Sequence, residues 1–268
     1  MSQALQLGPL ILPFPVLLAM GSGLVTFAVG RWRSKASDAV DTTLWVAVLA
    51  GLAVARLAFV WEYRPLYVAA PLTVLDIRDG GWNPTAGLVA AWAVAWHRGR
   101  QAPATASPLR WALGIGSSLF VAGSVFLSAL GATGVTLPPL AFASLDGPAV
   151  PLDRFRGQPT VVNLWATWCP PCVREMPAFQ NAQQRHPGVH FVFLNQGEDP
   201  ARVAAWLKRQ GLVLGNVLLD PQRQAGAAFQ QQGYPTTLFF DAEGALVSTR
   251  LGEVSAATLD EKLQALTR

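Results

Sequence analysis

No charged residue precedes Arg31, and two later stretches of similar length are almost as bare. Pro9 to Gly30 carries no charge, Thr43 to Trp61 is interrupted only by Arg56, and Trp111 to Gly131 again carries none. As a helix, about 20 apolar residues match the roughly 30 Å hydrocarbon core of a bilayer. In lipid each backbone N–H and C=O must be satisfied within the protein, so such a run is read as a helix. A weaker run, Trp82 to Trp96, is short for a span and also fits a re-entrant or interfacial segment. The fold class expected is therefore an α-helical membrane region of about four transmembrane helices followed by an α/β domain. The spans are placed at about 9–30, 43–61, 82–97 and 111–131 in a membrane region 1–133, with a separate domain over 134–268. The first run is not read as a cleavable leader, because no basic residues precede it and no clean small-residue cleavage site follows. A lipoprotein signal would need a cysteine there.

Cys169 and Cys172 are the only cysteines of the chain, in the run Trp165-Ala166-Thr167-Trp168-Cys169-Pro170-Pro171-Cys172. Two thiols cannot staple a scaffold or build a four-thiolate zinc site alone. They can alternate between dithiol and disulfide, since positions i and i+3 of a helix share a face. Thr160 to Trp165 is an apolar, β-branched run that reads as a buried strand. From Pro170 the chain reads as a helix whose first turn tolerates prolines. Cys169 then stands where strand gives way to helix. There the free N–H groups and the positive end of the helix dipole favour a thiolate. Cys172, one turn inside, would be the more buried, resolving thiol.

The remaining pattern is that of alternating strands and helices. His190–Asn195 reads as a strand, Pro200–Gln210 as an amphipathic helix stopped by Gly211, and Val217–Leu219 as a short strand. Gln222–Gln232 reads as a helix, Thr236–Asp241 and Ala245–Leu251 as a hairpin around Ala242-Glu243-Gly244, and Ala256–Leu266 as a closing helix. This order implies a three-layer sandwich with a mixed sheet.

From Leu137 to Arg268 the chain resembles the thioredoxin superfamily, and within it the TlpA/ResA-like thiol–disulfide oxidoreductases. The matching residues are Val162-Asn163-Leu164-Trp165-Ala166-Thr167-Trp168-Cys169-Pro170-Pro171-Cys172, Glu175-Met176-Pro177, Leu219-Asp220, Gly233-Tyr234-Pro235-Thr236-Thr237-Leu238-Phe239-Phe240-Asp241, Gly244 and Gly252. The resemblance implies a thioredoxin fold, a Cys169–Cys172 redox disulfide with no other cofactor, and a cis proline at Pro235 lying against it. Trp168, Tyr234 and Thr236 are expected to contact substrate, and Gln196-Gly197-Glu198 to help shape client choice. The partners implied are thiol- or disulfide-bearing periplasmic client proteins. The activity expected is reduction of their disulfides, of the kind needed for cytochrome c maturation or copper-site assembly. A disulfide-donating oxidase or isomerase is the alternative, since reduction potential, not sequence, sets direction. A Cu(I)-binding module, using Cys169, Cys172 and Met176, is a third reading.

Glu175 follows Cys172 by three residues and so shares its helix face. Buried there, it would hold a proton to unusually high pH and could exchange it with Cys172. The family has an acidic residue at that place. The alternative is a solvated carboxylate near a helix N-terminus.

Basic residues in the loops give an orientation. Arg31, Arg33 and Lys35 follow the first span, and Arg98, Arg100 and Arg110 lie between the third and fourth. Arg64 and Arg78 in the intervening loop are balanced by Glu62, Asp76 and Asp79. The basic loops belong on the cytoplasmic side, which puts both termini outside a bacterial inner membrane and the redox domain in the periplasm. Residues 1–136 hold 9 basic and 5 acidic side chains and residues 137–268 hold 11 of each, so the whole net charge of +4 lies in the membrane half. The basic balance is thus a matter of topology, and no nucleic-acid partner is expected. Arg56 reads as a snorkelling or structural residue, with Asp76 or Asp79 as a partner, in preference to a functional intramembrane charge.

The opening Leu5-Gln6-Leu7-Gly8-Pro9-Leu10, Gly51 to Val60 and Leu72 to Gly81 also resemble the N-terminal part of prolipoprotein diacylglyceryl transferase. The His-Gly-Gly signature of that family is replaced by Trp82-Asn83-Pro84, so the resemblance implies an anchor and not lipid transfer. The spans contain no cysteine, which excludes thiol relay through the bilayer. A separate membrane electron donor of the DsbD/CcdA type is expected, with membrane lipid the remaining partner.

Overall fold

A computed structural model describes residues 4–7, 10–35, 37–68, 71–131, 134–231 and 233–267. It divides into two compact units, one of Gln6–Leu75 with Gly81–Ser128 and one centred on Ala129–Arg268.

The first unit is helical. Strands β1 (Ala4–Leu7) and β2 (Leu10–Pro13) pair ahead of α1 (Phe14–Ser34), which is followed by α2 (Asp38–Glu62), α3 (Arg64–Val68), α4 (Pro84–Gln101) and α5 (Pro103–Gly131). The first apolar run therefore becomes helical only at Phe14. Pro13 caps the helix and Pro15 sits in its first turn, where a missing N–H leaves no bond unmade. Among the described residues three helices, Phe14–Ser34, Asp38–Glu62 and Pro103–Ala129, are long and apolar enough to cross a membrane. Helix α4 is not one of them. It has 18 residues, is capped by Asn83, whose Oδ1 accepts from Ala86 N–H at 3.0 Å, and carries Arg98 and Arg100 in its last turn. Its polar ends dilute an apolar middle.

Helices α2 and α4 meet at glycines: a Cβ on Gly51 would lie 3.0 Å from the Gly87 carbonyl oxygen, and one on Gly87 2.9 Å from that of Gly51. Small residues of this kind let two backbones approach closely. Arg56, in α2, is buried. Its guanidinium donates to the carbonyls of Thr73 (3.1 Å), Val74 (3.0 Å) and Gly81 (2.8 Å) and lies 5.4 Å from the centre of the Tyr67 ring. It satisfies carbonyls of the short 3-10 turn Pro71–Leu75 and of Gly81.

The second unit is a seven-stranded mixed sheet in the order β4-β3-β7-β6-β5-β8-β9. The strands are β3 (Ala141–Ser144), β4 (Val150–Pro151), β5 (Thr160–Trp165), β6 (His190–Gln196), β7 (Val217–Asp220), β8 (Thr236–Phe240) and β9 (Leu246–Leu251). Between them run α6 (Pro170–Arg185), α7 (Pro200–Gln210) and α8 (Gln224–Ala228), and α9 (Ala256–Leu266) closes the chain. β5 pairs in parallel with β6 and antiparallel with β8, and β6 in parallel with β7. Every residue of β5 is buried, because both faces of the sheet are covered. Val161 and Trp165 join Phe179 of α6, Trp206 of α7 and Leu259 and Leu263 of α9 in one core. Val162 and Leu164 face the other, with Phe142, Leu152, Ala225 and Phe229. The alternation has the strand period of two.

The expected helix over Gln222–Gln232 is the one element that largely fails. Only Gln224–Ala228 is helical, and Gln232 lies outside the described residues. Arg223 and Gln230 both take positive φ (56° and 55°), and the Gly226 carbonyl accepts from Gln231 N–H at 2.7 Å, which turns the chain out of the helix. The Asp220 carboxylate holds the start, accepting from the N–H groups of Gln224 (2.9 Å) and Ala225 (2.8 Å).

Phe193 is fully buried on β6 and packs edge-on against Phe179, ring centroids 5.7 Å apart. Truncating such a ring leaves a cavity, so Phe193→Ala should lower unfolding free energy by about 3–5 kcal/mol in denaturant titrations.

Candidate active site

β5 ends at Trp165, and after four intervening residues α6 begins at Pro170. Cys169 is the N-cap of α6, in extended backbone (φ −95°, ψ 104°), and its sulfur accepts from Cys172 N–H at 3.3 Å. The two sulfurs are bonded, with Cα atoms 5.3 Å apart. Pro170 and Pro171 occupy the first turn, where no helical donor is required of them. Cys169 is thus the cysteine at the helix end, and Cys172 is enclosed completely by the core. Cys169 therefore stands at the positive end of the α6 dipole and is 4 % exposed.

Glu175, one turn beyond Cys172, is buried at 1 % exposure. Its Oε1 accepts from Asn163 Nδ2 at 2.8 Å and its Oε2 from Val254 N–H at 3.0 Å. Burial raises its pKa to about 8, against these two hydrogen bonds, which favour the carboxylate. Loss of water outweighs two donors. Arg174 turns outward and pairs with Glu253 at 2.5 Å, tying the first turns of α6 to the segment that carries Val254. The solvated alternative for Glu175 is thereby excluded.

The other expected residues separate into two sets. The Tyr234–Pro235 bond is cis, and the Pro235 carbonyl accepts from Gly252 N–H at 2.9 Å. Trp168 is 51 % exposed beside Cys169 and meets the Tyr234 ring edge-on at 6.1 Å. The Tyr234 hydroxyl donates to Gln196 Oε1 at 3.4 Å, and partial burial raises its pKa. Thr236, by contrast, is fully buried between β5 and β9, with its hydroxyl donating to the Gly233 carbonyl at 2.7 Å. Its side chain offers a client no surface. Gln196 and Glu198 are likewise buried, so of the segment expected to shape client choice only Gly197 is exposed. Met176 is enclosed in the core behind the cysteines.

Asn163 has a role that the sequence reading did not assign, and Glu198 a different one from the shaping of client choice expected of it. Asn163 is a polar residue inside an otherwise apolar strand, a signal that a buried partner is needed. That partner is Glu175, with Thr237 Oγ1 a second at 3.1 Å. Glu198 lay in a polar loop and gave no such signal. Its carboxylate accepts from Thr167 N–H (2.6 Å), Thr167 Oγ1 (2.5 Å) and Asn195 Nδ2 (2.8 Å).

Glu175 gives the unit a pH dependence of definite sign. In the unfolded chain it releases its proton near 4.5, and in the fold near 8. Between these values the folded state binds more protons, so stability falls as pH rises through that window and levels off above it. Glu175→Gln should remove this component. Across that window the unfolding free energy of the parent should fall by on the order of a few kcal/mol while that of the variant stays flat, measured by denaturation at a series of pH values.

A family model described as Redoxin matches residues 132–264. The thiol:disulfide interchange protein DsbE of Allochromatium vinosum is 32 % identical over 129 residues, which are 47 % of this chain and 71 % of that protein. The thiol-disulfide oxidoreductase ResA of Bacillus subtilis is 30 % identical over 131 residues, 48 % of this chain and 72 % of the relative. ResA of Geobacillus thermodenitrificans is 29 % identical over 137 residues, 50 % and 78 % of the two chains. These matches fall on the unit that carries the Cys169–Cys172 disulfide at the head of α6, and the chain belongs to the ResA/DsbE group of thioredoxin-like thiol–disulfide oxidoreductases.

Proposed function

We propose that this protein is a membrane-tethered periplasmic reductase of client disulfides, with Cys169 as nucleophile and Cys172 as resolving thiol. The observation that carries the reading is the placement of the pair: Cys169, 4 % exposed, caps α6 next to the exposed Trp168, while Cys172, fully buried, lies inside the helix with Glu175 one turn beyond it. The Cys169 thiolate attacks a client disulfide, forming a mixed disulfide and releasing one client thiolate. Cys172 gives up its proton and attacks Cys169, which releases the second client thiol and leaves the Cys169–Cys172 disulfide. Glu175, with a pKa about 8, is poised to take and return the proton at Cys172. Trp168 and Tyr234, next to the buried cis Pro235, form the surface a client meets. Clients of the cytochrome c maturation or copper-site type fit a reductase of this group.

Two electrons per cycle must re-reduce the pair. The chain holds no cysteine besides these two, so the donor is a separate membrane thiol protein of the DsbD/CcdA type. In the tether, α4 is proposed as a fourth span. At about 1.5 Å per residue its 18 residues reach about 27 Å, close to the hydrocarbon thickness. Four crossings and the basic residues near Arg31 and Arg98 leave the redox unit outside.

The equilibrium reduction potential of the full chain, titrated against dithiothreitol, tests the direction. A value near about −270 mV is expected, and one near about −120 mV would make it a disulfide donor. Cys172→Ala should accumulate mixed disulfides on Cys169, whereas Cys169→Ala should not. Glu175→Gln should abolish the ionisation near pH 8 in the rate profile of exchange. An unchanged profile would remove Glu175 from the proton path.

A further inference from the structure

Glu198 is enclosed, yet its carboxylate belongs neither to the disulfide nor to the Glu175 pair. We propose that Glu198 is a positioning residue: by clamping Thr167 it fixes the loop that holds Cys169 at the N-cap of α6. The inference rests on Cys169 being the attacking thiol, as argued above.

The loop Ala166–Cys169 has to deliver a sulfur to one place while carrying a half-exposed tryptophan. Its internal hydrogen bond, Cys169 N–H to the Ala166 carbonyl, is long at 3.3 Å. Its firm anchor is Thr167, whose N–H and O–H go to the two oxygens of one carboxylate, Oε2 at 2.6 Å and Oε1 at 2.5 Å. A two-point attachment fixes rotation as well as distance. The base of the clamp is equally tied. Asn195 Nδ2 donates to Oε2 at 2.8 Å, and Asn195 is the β6 residue paired with Trp165, the last residue of β5 before the loop. Arg202, in the first turn of α7, lies 3.3 Å from Oε1. Four donors thus converge on two oxygens held by β6 and α7.

The chemistry demands a carboxylate. An isosteric glutamine has one acceptor oxygen, and its NH₂ would face donors from Thr167 or Asn195. The hydroxyl of Thr167 is needed for the second attachment, and serine supplies it while valine does not. A competing role, in which the negative charge of Glu198 acts on Cys169 through space, gives the opposite sign. Removing the charge would ease formation of the Cys169 thiolate. Releasing the clamp would draw it away from the helix N-terminus and hinder it.

The test uses the full chain in lipid nanodiscs with Cys172→Ala, so that Cys169 is the sole thiol, titrated by thiolate absorbance. Glu198→Gln and Thr167→Val should each raise the Cys169 pKa, by roughly one unit in the former. Thr167→Ser should leave it unchanged, and the double variant should exceed neither single by much, as for two halves of one contact. At a pH at least one unit below the parent pKa, one unit leaves about tenfold less thiolate, each about threefold more nucleophilic, so exchange with a small disulfide there should slow about threefold. A fall in pKa in Glu198→Gln with Thr167→Val unchanged would overturn the clamp in favour of through-space charge. Unchanged values in folded variants would overturn it outright. If Glu198→Gln does not fold, the contrast between Thr167→Val and Thr167→Ser decides. A parent in which Cys169 fails to react at all would instead overturn the functional reading itself.

Discussion

The site depends on burying β5 from both sides. A strand covered on two faces has no freedom to slip, since a shift of one residue would turn Val161 and Trp165 into the core that now holds Val162 and Leu164. Fixing β5 fixes where the chain leaves the sheet, and α6 enters after a four-residue loop. The thiol chemistry is a consequence of that placement. A cysteine anywhere else on the sheet would lack the free N–H groups that a helix start supplies.

Two buried carboxylates flank this turn and serve it in different ways. Glu175 meets two donors in a dry setting, and loss of water wins, so it keeps its proton to about pH 8. Glu198 meets donors from Thr167, Asn195 and Arg202 and ties the loop to β6 and α7. The first is suited to moving a proton and the second to holding a backbone. Both are glutamates enclosed near the same loop, and it is their partners that differ.

The helical N-terminal half shows a comparable economy. Arg56 lies buried within an apolar helix, and the carbonyls of Thr73, Val74 and Gly81 accept its N–H groups. A side chain thus completes backbone carbonyls that the short 3-10 turn leaves over. Close approach at Gly51 and Gly87 then lets α2 and α4 pack along each other without a large apolar side chain between them.

The local patterns were legible where one physical cause dominates. Uncharged runs marked three long helices, and β-branched runs gave β5, β6 and β8 to within a residue or so. Gly211 ended α7 because its positive φ suits glycine, and the Cys-Pro-Pro-Cys spacing marked the redox pair. Glu175 was found because i to i+3 spacing on a helix is a local rule. What the residues alone did not decide were outcomes of competition. Gln222–Gln232 had helical composition, yet turns at Arg223 and Gln230 broke it. Thr236 and Gln196 sit beside the site in sequence but face inward, since burial depends on which strands flank them. The pairing of Glu198 with Thr167 joins positions 31 residues apart, and it exists only because parallel β5 and β6 bring their C-terminal ends together. The sequence by itself determined which segments must be helix or strand and where the redox thiols lie. Tertiary structure decided which carboxylate holds a proton and which holds the loop, because both properties depend on donors and water brought or excluded by distant parts of the chain.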